Sequence, residues 1–268
     1  MPETSGSGPA VVVENHGPLR VVRINRPEAH NALNSEVLRG LRQAIVPAGD
    51  EGVRAVVVTG TGTKAFCAGA DLKELARHDP AGAYAALAEG QSVMRSIETA
   101  GVPVIAAVNG LALGGGFELL LASTFSVVAD RASMALPEAG LGLIPGYGGT
   151  QRLARLTGRA TAAYLMLTGE RVNAVRAHEL GLTPVPPVPG DRLLPEAMAL
   201  AERVAARGPL AVRSILTALD LGPDAPLDSA LAIESGLAAI AVTGREGTEG
   251  VAAFLAKRSP AFAREAGT

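Results

Sequence analysis

The 268-residue chain has no Trp, three Tyr and five Phe, so aromatic residues make up only 3% of it. Too few rings are available for the stacking platforms that grip single-stranded nucleic acid. A single cysteine, Cys67, excludes an internal disulfide and any zinc site built on cysteines. The four histidines, His16, His30, His78 and His178, stand apart without metal-ligand spacing, and no metal site is expected. Neither sign of charge predominates: 24 Lys and Arg against 26 Asp and Glu leave a net charge of -2. A nucleic-acid-binding domain normally shows a basic excess. No apolar run reaches the roughly 18 residues of a membrane-crossing helix. Residues 1–9 are polar and rich in Gly and Ser, without the charged and apolar regions of a secretory leader. They are expected to form a disordered tail, and a reducing cytoplasm is the expected setting.

What is present points to a large α/β domain. Hydrophobic residues make up 48% and charged ones 19%, which excludes disorder of the whole chain. Val11–Val13 and Leu19–Ile24 are β-branched runs split by Asn15-His16-Gly17-Pro18, the pattern of a hairpin. Asn34 and Ser35 suit the start of a helix to about Val46, with Val37, Leu38, Leu41 and Ile45 on its buried face. Arg54–Thr59 and Val102–Val108 read as strands buried on both faces. A Gly-rich loop is expected from Gly60 to Asp71 and a helix from Ala81 to Ala100. Gly114-Gly115-Gly116 opens a helix to about Ala122, and Ser126–Ala129 reads as a further strand. This alternation predicts parallel pairing. Beyond Thr150 the pattern is helical, over 150–156, 160–167, 173–180, 195–206, 209–219, 227–241 and 245–257. A core domain is therefore expected over residues 10–195 and a helical, oligomerising region over 196–268.

Several chemistries are missing from the motifs. Gly60-Thr61-Gly62-Thr63-Lys64 lacks phosphate-loop spacing, and no G-x-G-x-x-G, G-x-S-x-G or H-E-x-x-H occurs. Three segments remain: Phe66–Glu74, Asn109–Glu118, and Leu136-Pro137-Glu138 leading into Gly142–Arg152. The first two place small residues where a strand ends and a helix begins, the place where open α/β sheets bind ligands. Free backbone N–H groups there favour negative charge, and two such turns side by side could hold one developing oxyanion. Glu118 and Glu138 both lie in apolar company, which raises a carboxyl pKa. Two such groups near one water could divide acid and base work. Read singly, Glu118 also fits a carboxylate favoured by its helix dipole, Asp71 an N-cap, Lys73 a solvated charge and Cys67 a small buried residue.

Taken together, the segments resemble the crotonase superfamily, and most closely its enoyl-CoA hydratases. The resemblance spans roughly residues 11–262. It rests on Asn25-Arg26-Pro27 with Asn31-Ala32-Leu33, the Ala-Gly-Ala-Asp turn at 68–71, Ala112–Glu118, and the run Ile144–Arg152. It implies a spiral of ββα units with C-terminal helices that assemble a trimer or a dimer of trimers. It implies an oxyanion hole from the N–H groups of Ala70 and Gly115, with Glu118 and Glu138 as the catalytic pair. Glu118 would deprotonate the water and Glu138 protonate C2, although coupled carboxylates titrate as a unit. Ala68, Asp71, Leu72, Gly114, Pro137, Gly146 and Tyr147 would line the substrate, and Lys73 would hold its nucleotide together with Phe254 and Lys257 of a neighbouring subunit. The substrate is then an acyl-CoA thioester, with no separate cofactor, nucleic acid or membrane as partner. Ala122-Ser123-Thr124, His30 and Tyr147 depart from the family's usual residues, and Tyr147 would narrow the acyl pocket. An isomerase or a methylglutaconyl-type hydratase is the alternative; two retained glutamates favour hydration. An RNA-binding branch of the family uses a lysine-studded first helix, where this chain offers Arg39 and Arg42.

Overall fold

The expected hairpin forms. In the computed structural model, which describes residues 8–262, β1 (Val11–His16) pairs antiparallel with β2 (Leu19–Ile24). The remainder of the expected tail, residues 1–7, lies outside the described residues. Asn34 caps α1 (Ser35–Ile45), its side chain accepting from the Val37 N–H at 2.9 Å, and α1 buries Val37, Leu38, Leu41 and Ile45. Such a cap contributes about 1 kcal/mol.

The chain then winds through repeated strand–strand–helix turns. β3 (Ala55–Gly60), β5 (Val104–Val108) and β7 (Phe125–Val128) lie parallel beside β2 and complete a five-stranded sheet ordered β1-β2-β3-β5-β7. β4 (Ala65–Cys67), β6 (Leu111–Leu113) and β8 (Ser133–Ala135) build a second sheet, closed by the antiparallel β9 (Val172–Asn173). Each turn thus gives one strand to each sheet before the next helix, which is the spiral of ββα units. The helices are α2 (Leu72–Leu75) and α3 (Pro80–Glu98) after β4, α4 (Gly115–Ala122) after β6, and α5 (Gly149–Thr157) after β8. Every residue of β3 and β5 is buried, as their near-continuous apolar runs require, and the one polar side chain, Thr59, donates to the Ala107 carbonyl.

Two expectations need correction. The segment 60–71 is not a continuous loop, since β4 lies within it, and β6 and β8 were equally unforeseen. Strands of three residues carry too little alternation to be seen in sequence; pairing within the second sheet creates them. The boundary at 195 falls inside α8 (Leu193–Ala205), whose Leu193, Ala197 and Ala201 are buried in the core. The core therefore continues through α8.

α6 (Arg159–Thr168) and α7 (Ala174–Glu179) close the spiral. α9 (Pro209–Leu221), α10 (Leu227–Thr243) and α11 (Arg245–Leu255) follow, as the helical pattern predicts. Of these three, only α11 buries a residue, Ala253, while Leu219, Leu227, Ile240 and Phe254 are exposed. No single helix among the described residues is long and apolar enough to cross a membrane.

Candidate active site

Side chains buried between the two sheets set the shape of the turn after β4. Asn31, fully buried with φ +59, accepts from the Arg26 N–H at 3.1 Å and donates to the carbonyls of Thr61 and Ala65 at 3.0 and 2.9 Å. Asn109 donates to the carbonyls of Gly60 and Gly62 at 3.0 and 2.8 Å. The Arg26 guanidinium donates to the Ala32 carbonyl and to Asp71 Oδ2. Asp71 Oδ1 accepts from the Lys73 N–H, so Asp71 does cap α2. Both of its carboxylate oxygens are thereby engaged within the protein. Sequence reasoning gave no separate task to Arg26, Asn31 or Asn109. A left-handed asparagine buried between sheets carries no local signal.

This bracing presents one backbone donor. Leu33 and Ala70 form a parallel bridge in which Leu33 N–H donates to the Gly69 carbonyl at 2.7 Å and Asp71 N–H to the Leu33 carbonyl at 2.9 Å. That pattern uses the groups either side of Ala70 and turns its own N–H to the opposite side. The second donor is the Gly115 N–H, in the first turn of α4, where helix geometry supplies no partner. The two turns are adjacent: a Cβ on Gly69 would stand 3.4 Å from Gly115 N and 2.8 Å from the Leu113 carbonyl oxygen. Gly114 enters α4 with φ +49 and ψ -122, a conformation that suits glycine.

The carboxylates converge on the same place. Glu118 is 1% exposed. Its Oε1 accepts from the N–H groups of Tyr147 and Gly149, both at 2.7 Å, so it is turned toward the 146–149 loop rather than serving the α4 dipole. Burial outweighs these two bonds and pushes its pKa up to about 7, and the nearby Glu138 carboxylate adds to the rise. Glu138 begins a 3-10 turn after β8. Its Oε1 would lie 2.7 Å from a Cβ on Gly114, while its Oε2 is buried without a hydrogen-bond partner. Burial raises the Glu138 pKa as well. A buried, unpaired carboxylate oxygen is costly unless a ligand or proton serves it.

Arg152 fixes the loop from the far side. It donates to the Tyr147 carbonyl at 2.9 Å and pairs with Glu98 of α3 at 3.0 Å. Gly146 accepts from the Gln91 side chain at 3.0 Å. Tyr147 itself is 4% exposed. Ala68 donates to the His30 carbonyl, and Pro137 precedes the 3-10 turn that carries Glu138. Leu72 and Lys73 are exposed on α2. Phe254 and Lys257, at the end of α11, are also exposed, and neither is hydrogen-bonded to the 68–73 turn among the described residues. Cys67 is buried, and burial pushes its thiol up to about 12, which excludes a thiolate nucleophile. A cleft of about 910 Å³ lies between α3, α5 and α9, lined by Gln91, Arg95, Tyr147, Arg152 and Leu219 among others. Neither carboxylate lines it, but Tyr147 does, and the other edge of the Tyr147 ring meets Gly115 at the reaction site.

Two N–H donors beside two protonatable carboxylates define a site for acyl-thioester chemistry through an enolate-like oxyanion. Comparison with known proteins agrees: residues 14–265 match the family model described as enoyl-CoA hydratase/isomerase, and the chain belongs to that family. It is 40% identical to a crotonyl-CoA hydratase of Syntrophomonas wolfei over 94% of this chain and 97% of that protein. It is 37% identical to a short-chain-enoyl-CoA hydratase of Clostridium acetobutylicum, covering 92% and 95% of the two chains. The crystal structure of an enoyl-CoA hydratase from Bacillus anthracis superposes with a TM-score of 0.90 at 39% identity, over 96% of this chain and all of that one.

Proposed function

We propose that the site adds water across the C2=C3 bond of a 2-trans-enoyl-CoA to give the 3-hydroxyacyl-CoA; the chain is an enoyl-CoA hydratase. The observation that carries this is the convergence of Glu118 and Glu138 on the paired turns of Ala70 and Gly115. The thioester carbonyl accepts from both N–H groups, which stabilise the negative charge that develops as water attacks C3. Losing one such donor typically costs about 2.7–4 kcal/mol of barrier. Glu118 takes the proton of the attacking water, and Glu138 delivers a proton to C2. The proton count closes when the proton taken up by Glu118 is passed to the Glu138 carboxylate, which restores the ionised base and the protonated acid. An isomerase needs only one such carboxylate, so the retained pair favours hydration.

The test is loss of the conjugated thioester absorbance with crotonyl-CoA as a function of pH. The base must be ionised and the acid protonated, so kcat/KM is bell-shaped: it rises with pH along the raised Glu118 value of about 7 and falls again once Glu138 loses its proton. No turnover of crotonyl-CoA or of longer 2-enoyl-CoA esters by the folded protein overturns the hydratase reading; a profile flat down to pH 5 overturns Glu118 as base.

The CoA moiety is carried in by the substrate, so the reaction calls for no separate cofactor. The exposed Lys73 suits its phosphates, with Phe254 and Lys257 supplied by a neighbouring subunit. That contact requires a homo-oligomer, a trimer or dimer of trimers, and the exposed Leu219, Leu227 and Ile240 on α9 and α10 support one. Light scattering in dilute buffer is expected to give three or six subunit masses, and a monomer overturns the shared nucleotide site. The near-balanced charge supports a role without nucleic acid, and the single buried thiol suits a cytoplasmic setting.

A further inference from the structure

We propose that Tyr147 forms the closed end of the acyl pocket and limits the enzyme to short acyl chains. This rests on the hydratase reading above and names the substrate class of the same site. The ring lies in a slot between α3 and the first turn of α4. A Cβ on Gly90 would stand 2.1 Å from Tyr147 Cε1 and 2.4 Å from Cδ1. A Cβ on Gly115 would stand 3.0 Å from Cδ2. Glycine on both walls is what admits a six-membered ring, and the fit leaves no further atom's width.

The slot adjoins the reacting carbons. Gly115 supplies an oxyanion donor, so C2 and C3 of a bound thioester begin within a few bond lengths of the ring. Leu72 and Lys73, on the nucleotide side, are exposed, so the acyl tail must run the other way, between α3 and the 144–149 loop. Two side chains occupy that route. One is Tyr147; the other is Leu87, whose Cδ2 would lie 2.6 Å from a Cβ on Gly146. A crotonyl group has one methyl beyond C3. Every further methylene meets the ring.

The ring cannot yield by moving its backbone. The Tyr147 N–H is held by Glu118 and its carbonyl by Arg152, at 2.7 and 2.9 Å. These backbone bonds are the only hydrogen bonds of Tyr147 among the described residues, so the nearly buried side chain is kept for its volume and not for a bond from its hydroxyl.

The experiment compares kcat/KM for 2-enoyl-CoA esters of four, eight and twelve carbons. One methylene too many for a filled apolar pocket typically changes kcat/KM by about 10–200-fold. The wild type is therefore expected to favour the four-carbon ester over the twelve-carbon one by about 100-fold or more. Tyr147→Ala is expected to reduce that ratio at least about tenfold, mainly by lowering KM for the long esters. Tyr147→Phe keeps the volume and is expected to keep the wild-type ratio. Tyr147→Leu, smaller but still apolar, serves if the alanine variant does not fold. Equal rates on all three esters by the wild type overturn the proposal and leave the hydratase reading standing. An unchanged ratio in a folded Tyr147→Ala or Tyr147→Leu overturns it too. Hydration of none of the three overturns the hydratase reading, and the chain-length proposal with it.

Discussion

Glu118→Gln is expected to lower kcat for crotonyl-CoA hydration by about 10³-fold while the protein remains folded, since a positioned acid or base contributes about 10²–10⁴-fold. The amide oxygen can still accept from Tyr147 and Gly149, so the loop at 146–149 keeps its anchor while the proton acceptor is lost. Glu138→Gln is expected to match it, and the double variant to be little worse than either, because the two act on one proton inventory. Retention of more than about a tenth of wild-type activity by either single variant contradicts the pairing.

The same change has a stability signature. The Glu118 carboxyl has a higher pKa folded than in its ordinary state, 4.5 rising to about 7. Ionisation therefore disfavours the fold, with the loss setting in above pH 4.5 and complete above about 7. The difference corresponds to about 3 kcal/mol at most. Glu118→Gln removes this penalty, so it is expected to melt no lower than wild type at pH 8, with its relative advantage shrinking toward pH 4. A variant that is inactive and melts well below wild type at pH 8 would point to a structural defect instead of a lost base.

Gly116→Ala is the second large effect, and it falls on folding. A Cβ at this position would stand 2.0 Å from the carbonyl oxygen of Cys67 and 2.7 Å from its carbon. Both atoms belong to the backbone of β4 and have no rotamer through which to move away. α4 must lift off β4, which separates the two turns that carry Ala70 and Gly115. Overpacking a core typically costs 1–3 kcal/mol and occasionally more, and a clash with backbone is expected at about 3 kcal/mol or above. For a chain of this size that is a fall in Tm of about 6–12 °C. Gly140→Ala is the control, since no atom lies within 4 Å of its added Cβ. A Gly116→Ala protein that melts with the wild type shows that α4 and β4 are not in the contact described.

The elements legible beforehand are those whose burial is written in their period. The face of α1, the near-continuous apolar runs of β3 and β5, and the helical spacing from α5 to α11 all stand where the residues place them. The four motifs also located the site, because glycine clusters followed by carboxylates in apolar company are unusual enough to read in order. What was not legible is made by partners distant in sequence. β4, β6 and β8 exist because they pair with one another. Arg26, Asn31 and Asn109 work by reaching carbonyls on other elements. Tyr147 could be expected to narrow a pocket, but not that Gly90, some 57 residues earlier, is the wall that receives its ring.

Local composition thus dictated the helices, the buried strands and the inventory of reactive groups, since each follows from short-range periodicity and backbone preference. The protonation of Glu118, the orphaned oxygen of Glu138 and the pairing of two N–H donors belong to the folded chain alone. Desolvation and hydrogen-bond competition act between atoms that the fold brings within a few ångströms, and no property of the separate segments contains those distances.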